Sequence, residues 1–417
     1  MTSACPPRAE GSGEPAVTAS GADDRATAPD PRLRVAHVID SLAGSGGAEN
    51  RLVDEVIAVT DRFEQTVVRL FERDFLEHRL VEAGVPVVAL GFAADGAGRT
   101  WPAAARRLTR VLGDMGPDVI HTSLSTGNLV GQIVGARLGV PVVSTFNRSG
   151  DSDLLRSLDP GVATWKARTM QAVSRRVARR GDVHYRAVGA YVRDTNCASM
   201  RLPVDAVTVV QRGVSVKDAV PGRAGGGGRS AFSLPDGAPL FVNAARHVPE
   251  KAHHLLVEAF AIVRAELPDA RLAIAGAPGP TTAQVTAAIE RTGLDDAVSL
   301  LGFRADARAL MAAADVFVFS SMSEGSPGAV VEALVLGTPV AAFGIPPVAE
   351  LTEGDRHAWL ADPGDPVGLA TTMLAAWRAP DRAERAAATQ RWARETYSLE
   401  SVAQRLGDLL EARVAAH

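Results

Sequence analysis

The sequence predicts an α/β protein with two doubly wound domains, each a parallel sheet covered by helices on both faces. Two observations predict this fold class. Short β-branched runs alternate with longer amphipathic runs along most of the 417 residues, and a glycine-rich segment at 220–230 interrupts the alternation. Because parallel sheets bind ligands at the carboxyl ends of their strands, we expect the two domains to share a binding cleft.

The first half of the chain is predicted to hold a disordered segment and one domain. Residues 1–32 are rich in Ala, Pro, Gly, Ser and Thr, and they contain too few apolar side chains to offset chain entropy. They also lack the apolar core of a signal peptide, which predicts a cytoplasmic protein. Residues 33–219 are predicted to form the first domain, with helices at 48–59 and 103–115. Its strands are expected at 33–39, 65–71, 86–90, 118–122, 141–146 and 205–211.

The second half begins at the segment 220–230, VPGRAGGGGRS, which is predicted to be a linker. Residues 231–390 are predicted to form the second doubly wound domain. Its strands are expected at 239–244, 271–276, 297–302, 315–320 and 338–343. The tail at 391–417 is expected to form a helix that packs back toward the first domain, because 399–414 carries an apolar stripe.

Charge and composition exclude several classes of protein. The chain has 44 Lys and Arg against 48 Asp and Glu, which argues against a dedicated nucleic-acid binder. The two cysteines, Cys5 and Cys197, cannot build a disulfide framework or a four-cysteine zinc site. No apolar run reaches the roughly 18 residues that span a bilayer. The basic residues include only three lysines, Lys166, Lys217 and Lys251, so a lysine in a candidate site is informative.

The most informative segment, 323–340, reads SEGSPGAVVEALVLGTPV and leads from a predicted buried strand into an apolar helix. Gly325, Ser326, Pro327 and Gly328 can present backbone N–H groups at the helix N-terminus, where an anionic phosphate is favoured.

Two glutamates accompany this turn. Glu324 lies on the loop, where it suits the hydroxyls of a sugar beside the phosphates. Glu332 lies about one turn inside the helix and is expected to accept hydrogen bonds from hydroxyls, as acidic residues do with ribose. The alternative, an ordinary helix start with a stray glutamate, explains each residue alone but not the spacing.

This segment resembles the E-x7-E signature of a large group of retaining glycosyltransferases, family 4, which includes glycogen and sucrose synthases and bacterial lipid mannosyltransferases. The resemblance covers nearly all of 33–415. It implies the GT-B fold, in which two Rossmann-like domains hold a nucleotide sugar in their cleft. It also implies that Glu332 holds the nucleotide ribose and Glu324 the hydroxyls of the donor sugar.

A second segment, AARHVPEKAHHLLVEAF at 244–260, resembles the family's G-R-x-x-x-E-K-G sequence. Arg246 and Lys251 are expected near a strand end, where they can clamp a diphosphate. Cations there would stabilise the charge on the departing nucleoside diphosphate. Ala252 stands where the family usually has glycine. A surface cation is the alternative for Arg246, and it is less convincing for Lys251 because lysine is so rare in this chain.

The loop between the first strand and the first helix reads VIDSLAGSGGAEN at 38–50. Gly46 and Gly47 are typical of a turn that approaches phosphates. Glu49 occupies the third glycine position of a dinucleotide fingerprint, which makes that interpretation weak. The loop instead resembles the family's G-G-A-E loop, which implies that it reaches the donor phosphates and sugar.

The expected acceptor-side residues are His121, Asn147 and Arg148. His121 ends a predicted strand and matches the first histidine of the family's H-x-H pattern, whereas Ser123 replaces the second. A purely structural histidine is the alternative. Asn147 and Arg148 occupy the place of the family's T-x-H-G, and this loop is expected to line the acceptor pocket.

Two further features are given less weight. The D-x-D triplet at 151–153 is interpreted as a solvated loop that caps a helix, so no metal site is expected. The basic stretch at 165–180 allows peripheral contact with an anionic membrane, but a solvated helix face is favoured.

Taken together, the motifs predict a retaining, metal-independent glycosyltransferase that needs no cofactor. It would move a hexose or N-acetylhexosamine from a nucleotide-diphosphate sugar, with UDP-sugars favoured, to a hydroxyl of a small metabolite, a lipid-linked acceptor or a polysaccharide. The donor is expected on the second domain and the acceptor on the first. The alternatives are a GT-B-fold sugar-nucleotide epimerase, a phosphorylase-type enzyme with a Schiff-base lysine, and a non-catalytic GT-B partner subunit.

Overall fold

The computed structural model describes residues 32–43, 47–93, 97–150, 172–178, 181–216, 229 and 237–417, with the backbone alone for 97–100. Several sequence predictions lie outside these residues. They are the disordered segment up to residue 31, Gly46, the triplet at 151–153, most of the basic stretch at 165–180 and the linker 220–230 apart from Arg229.

The first domain contains a seven-stranded, fully parallel sheet with the strand order β3-β2-β1-β4-β5-β6-β7. Its strands are β1 (Arg34–Ile39), β2 (Glu64–Phe71), β3 (Val87–Phe92), β4 (Val119–Ser123), β5 (Val142–Phe146), β6 (Val183–Ala187) and β7 (Val207–Val209). Six of them lie where the sequence predicts them. The sequence interpretation missed β6, whose sequence VHYRA carries an arginine and a histidine among its apolar residues.

Helices cover both faces of this sheet. They are α1 (Gly47–Ala58), α2 (Glu77–Glu82), α3 (Ala97–Met115), α4 (Ser125–Leu138) and α5 (Ala190–Met200). One face packs on α3 and α4 through a cluster that includes Leu108, Leu112 and Val130. The central strands β1, β4 and β5 are therefore almost fully buried, as expected for strands covered on both sides.

The second domain repeats this design with six parallel strands in the order β10-β9-β8-β11-β12-β13. They are β8 (Leu240–Ala244), β9 (Arg271–Ala275), β10 (Val298–Gly302), β11 (Val316–Phe319), β12 (Val340–Phe343) and β13 (Trp359–Ala361). Its helices are α6 (His253–Glu266), α7 (Thr282–Thr292), α8 (Ala307–Ala313), α9 (Gly328–Leu336), α10 (Pro346–Leu351) and α11 (Pro366–Arg378). The sequence interpretation missed β13, which is only three residues long.

Two helices end the chain, α12 (Arg382–Tyr397) and α13 (Leu399–Ala415). Helix α13 lies on the sheet of the first domain, where Val402 and Leu406 share an apolar cluster with Val35 of β1. Backbone bonds from Val214 N to Tyr397 O (2.9 Å) and from Leu399 N to Val214 O (3.0 Å) join the two places where the chain passes between the domains. Among the described residues, no helix has both the length and the apolar character needed to cross a membrane.

Candidate functional site

A cleft of about 890 Å³ lies between the two domains, and the carboxyl ends of both sheets open into it. The first-domain wall includes Asp40, Gly47, Glu49, Arg51, Ser125, Asn128, Thr145, Asn147, Arg148 and Arg212. The second-domain wall includes Arg246, Glu250, Lys251, Phe319, Glu324, Gly325, Ser326, Pro327, Gly328 and Glu332. Every predicted site residue within the described part of the chain therefore lines this cleft, except His121.

Lys251 and Glu324 meet on the second-domain wall. The Lys251 ammonium forms an ion pair with Glu324, whose Oε1 also accepts a bond of 2.8 Å from Ser321 Oγ. Bonds from Ser320 Oγ to Lys251 O (2.8 Å) and from Met322 N to Glu250 O (2.7 Å) hold the two loops together. The carboxyl ends of β8 and β11 thus place one cation and one carboxylate side by side, while the exposed Arg246 lines the same wall.

Ala252, which follows this lysine, has a left-handed backbone with φ of 44°. This conformation favours glycine because a Cβ crowds the following carbonyl. The alanine is 4% exposed and caps the start of α6, so its burial offsets part of that strain. The family's preference for glycine at this position therefore has a backbone cause.

The turn at the start of α9 has the chemistry of an anion site. The helix begins at Gly328 with Pro327 as its N-cap, and the N-cap side chain makes no capping bond. Ser326 Oγ is buried and has no hydrogen-bond partner in the described part of the chain. Free N–H groups at a helix N-terminus, together with an unpartnered hydroxyl, suit the oxygens of a phosphate.

Glu332, one turn into α9, forms an ion pair across the cleft with Arg51 of α1. Both side chains are largely buried, with exposures of 21% and 14%, and Arg51 also contacts Asp54 at 3.4 Å. A ligand hydroxyl at Glu332 would therefore share this carboxylate with a cation from the opposite domain.

The two domains also approach each other closely where Gly325 faces the backbone of the loop after β5. A Cβ on Gly325 would overlap the carbonyl oxygen of Asn147. On the same wall, the Asn147 side-chain oxygen accepts a hydrogen bond from the Arg212 guanidinium. Burial, countered in part by Glu55, lowers the pKa of Arg212 to about 10. Among the described residues, Arg212 has no carboxylate within ion-pair distance, so its positive charge is available to the cleft.

Two carboxylates line the first-domain wall near the start of α1. Asp40 directly follows β1 and accepts bonds from the N–H groups of Gly127 (2.5 Å) and Thr126 (3.3 Å) at the start of α4. Burial raises the pKa of Asp40 to about 6, although these two bonds oppose the shift. Glu49 accepts a bond of 2.7 Å from Ser41 Oγ.

His121 is 1% exposed and is not among the residues that line the cleft. Its Nδ1 is 3.0 Å from His37 Nδ1, and its Nε2 is 2.9 Å from Thr145 Oγ1. A direct contact between His121 and an acceptor stays a prediction. Within the described residues, no three His, Cys, Asp or Glu side chains are grouped so that they could hold a metal ion.

No role is predicted from the sequence for Asp40, Arg51, Thr145 or Arg212. A usable signal existed for two of them, because Asp40 and Arg212 follow strands at the carboxyl edge of the sheet, where ligands bind. Nothing in the sequence pattern distinguishes Arg51 from a solvated arginine on the surface of a helix.

Comparison with known families agrees with this architecture. A model described as "Glycosyl transferase 4-like domain" matches residues 31–213, and one described as "Glycosyl transferases group 1" matches residues 238–378. Together they cover most of both described domains, and each contributes one wall of the cleft. The chain thus contains two domains that match glycosyltransferase family models, arranged in the GT-B fold.

Curated relatives match over shorter stretches. The 2-deoxystreptamine glucosyltransferase of Streptomyces kanamyceticus is 32% identical over 148 residues, which are 35% of this chain and 38% of that protein. The putative colanic acid biosynthesis glycosyltransferase WcaL of Escherichia coli is 31% identical over 183 residues, 41% of this chain and 44% of that protein. The chain therefore aligns with less than half the length of these two relatives.

Solved structures share the fold over nearly the whole chain. Anabaena HepE in complex with UDP superposes with a TM-score of 0.77 and 21% identity, covering 91% of this chain and 100% of that one. The lipopolysaccharide glycosyltransferase WaaG superposes with a TM-score of 0.71 and 16% identity, covering 90% and 99%. At these identities the similarity establishes the fold alone.

Proposed function

We propose that the protein is a retaining, metal-independent glycosyltransferase that transfers a hexose or N-acetylhexosamine from a UDP-sugar to an acceptor hydroxyl. One observation carries the proposal: Arg246, Lys251, Glu324 and Glu332 share one wall of a cleft between two glycosyltransferase domains. The preference for UDP is supported by the similarly folded HepE, which has been solved with UDP and with UDP-glucose.

In the proposed donor complex, the diphosphate lies between Arg246, Lys251 and the N-terminus of α9. Its charge would draw the Lys251 ammonium partly away from Glu324, which frees the carboxylate to accept bonds from the hydroxyls of the transferred sugar. Glu332 would receive the ribose hydroxyls. Two cations and a helix N-terminus supply the countercharge that a divalent metal would otherwise provide.

The reaction we propose breaks the bond between the anomeric carbon and the diphosphate and forms a bond from that carbon to the acceptor oxygen on the same face of the sugar. The acceptor's proton passes to the departing phosphate oxygen. Arg246 and Lys251 stabilise the negative charge that grows on this oxygen, and the two walls hold acceptor and sugar in reacting geometry. Water exclusion by the closed cleft would limit hydrolysis of the donor.

The acceptor would bind against the first-domain wall, where His121, Asn147 and Arg148 are the predicted contacts. A small hydroxyl-bearing metabolite is the first class to test, because one relative is named as a glucosyltransferase of 2-deoxystreptamine. Membrane contact by the basic stretch at 165–180 and the cytoplasmic location both stay predictions.

A two-step experiment tests the proposal. Thermal-shift screening of UDP- and GDP-sugars identifies the donor, and NMR of the product then reports the anomeric configuration, with EDTA present to test metal independence. Glu324→Gln and Lys251→Ala should each lower the transfer rate by about 10²-fold or more. Near-wild-type turnover in both variants would refute the assignment. Free epimerised sugar nucleotide without an acceptor would instead identify an epimerase.

Matched controls separate this effect from a general change of surface charge. Glu290→Gln and Arg304→Ala change an exposed carboxylate and a partly exposed guanidinium of the same domain outside the cleft. Both controls should keep wild-type turnover, and circular dichroism should show the native fold in all four variants.

A further inference from the structure

Beneath the first-domain wall, four side chains form a continuous line of hydrogen bonds. Gln65 Oε1 is 2.9 Å from His37 Nε2, His37 Nδ1 is 3.0 Å from His121 Nδ1, and His121 Nε2 is 2.9 Å from Thr145 Oγ1. All four residues are at most 5% exposed. Of the four, only Thr145 lines the cleft, so it is the end of the line that a substrate can reach.

The glutamine fixes the direction of the first bond. Gln65 Nε2 donates to the carbonyl of Val56 at 3.0 Å, and a carbonyl can only accept, so the oxygen of the amide must face His37. His37 Nε2 therefore carries a proton and donates it to Gln65. Burial lowers the pKa of His37 to about 4, so the ring is neutral at pH 7 and its Nδ1 has no proton.

The remaining two bonds follow from this tautomer. Because His37 Nδ1 can only accept, His121 Nδ1 must be the donor between the two rings. Burial holds the pKa of His121 well below its ordinary value, so this ring is also neutral and its Nε2 accepts. The Thr145 hydroxyl must then donate its single proton to His121. Thr145 Oγ1 then has only lone pairs left to offer a further hydrogen-bond partner.

We propose that Thr145 is a specificity-determining residue whose Oγ1 accepts a hydrogen bond from a substrate hydroxyl, with His37 and His121 as the positioning residues that keep its proton turned inward. This inference rests on the proposed function. The substrate group must be a hydrogen-bond donor, so a hydroxyl binds better at that position than a deoxy, O-methyl or keto analogue. The hydroxyl belongs either to the transferred sugar or to the acceptor.

Which atom donates in each of these hydrogen bonds can be measured without any substrate. Long-range ¹H–¹⁵N correlation spectra of the ¹⁵N-labelled full chain distinguish a protonated ring nitrogen from a bare one. We expect His37 protonated at Nε2 and His121 protonated at Nδ1, both neutral at pH 7. A His121 ring that carries its proton on Nε2 would overturn the inference, because the Thr145 hydroxyl would then be free to donate into the cleft.

The role of the oxygen is measured by Thr145→Val, which removes the hydroxyl at nearly constant shape. One arm measures the KM for the acceptor, and the other compares the Kd of the UDP-sugar with that of UDP. The loss of one neutral hydrogen bond should raise either the acceptor KM or the Kd of the UDP-sugar relative to UDP by about 3- to 10-fold. The arm that changes identifies the hydroxyl's source, and an analogue deoxygenated at the contacted position should be insensitive to the substitution.

Two further variants make this result specific. Thr145→Ser keeps the hydroxyl and should stay within about twofold of wild type. Thr208→Val is the matched control, because Thr208 also bonds a histidine ring, at 2.8 Å from His184 Nε2, but lies exposed on β7 outside the cleft. If Thr145→Val does not fold, Thr145→Cys replaces it, since a thiol is a weak acceptor.

The two proposals fail in different ways. Wild-type protein that neither binds nor turns over any nucleotide sugar would refute the proposed function, whereas the ring tautomers would still be measured. If the wild type is active but the variant without a hydroxyl at position 145 changes neither the acceptor KM nor the relative Kd of the UDP-sugar by more than twofold, the role of Thr145 alone is refuted.

Discussion

Gly325→Ala tests whether close approach of the two domains is required for transfer. The backbone of Gly325 lies outside the left-handed region, so alanine is sterically allowed within its own loop. In the closed cleft, however, the new Cβ would overlap the Asn147 carbonyl oxygen and lie 2.9 Å from its carbonyl carbon and 3.1 Å from the Cα of Arg148. Carbon atoms pack at about 3.5–4.0 Å, and the overlap with the oxygen is larger than that with either carbon, so the loops must separate by roughly 1 Å or more.

All three contacted atoms are backbone, so no side-chain rotation relieves the overlap. Because a misplacement of about 1 Å can cost 10²-fold in rate, we expect kcat/KM to fall by about 10- to 100-fold. The melting temperature should change little, since each domain keeps its own core. Gly113→Ala on α3 is the control, because its Cβ would meet only one atom, at 4.0 Å. Wild-type kcat/KM in Gly325→Ala would refute the requirement for this contact.

Two further predictions concern stability. Glu55→Gln should lower the free energy of unfolding in urea by about 3–5 kcal/mol. The Glu55 and Arg186 side chains are 4% and 2% exposed and are bonded at 2.7 Å, so the substitution leaves a buried guanidinium without its carboxylate. A loss below about 1 kcal/mol would contradict this. Asp40→Asn should gain stability relative to wild type as the pH rises from 4 to 7. The pKa of Asp40 in the folded state is about 6, against an ordinary value of 3.8, so the folded state holds the proton more tightly than the unfolded state does. The free energy of unfolding of the wild type therefore falls by up to about 3 kcal/mol over this range. A difference between the two proteins that is independent of pH would rule this explanation out.

Most of the strands that the sequence predicted correctly are largely buried, whereas β3, β7 and β10 at the sheet edges are partly exposed. Runs such as VFVF in β11 and VAAF in β12 are entirely apolar because helices cover both sides of the sheet. The missed strand β6 breaks this pattern with Arg186, whose charge is compensated by Glu55 of α1. That partner is 131 residues away, so a local pattern cannot reveal that the arginine is buried.

The second-domain wall was also predictable, because its chemistry is local. Glu324 and Glu332 are eight residues apart on one strand-loop-helix unit, and Lys251 stood out in a chain with three lysines. The contacts among them were not predictable. The ion pair between Lys251 and Glu324 joins residues 73 apart in sequence, and it forms because β8 and β11 are neighbours in the sheet.

By itself, the sequence determined two doubly wound domains and the residues of the second-domain wall, since periodicity and loop composition are properties of neighbouring residues. Only the tertiary structure decided what opposes that wall. It placed Arg51 against Glu332 across the cleft, and it connected His121 to the cleft through Thr145. Such contacts depend on how two sheets and their covering helices are oriented in space, which local patterns do not encode.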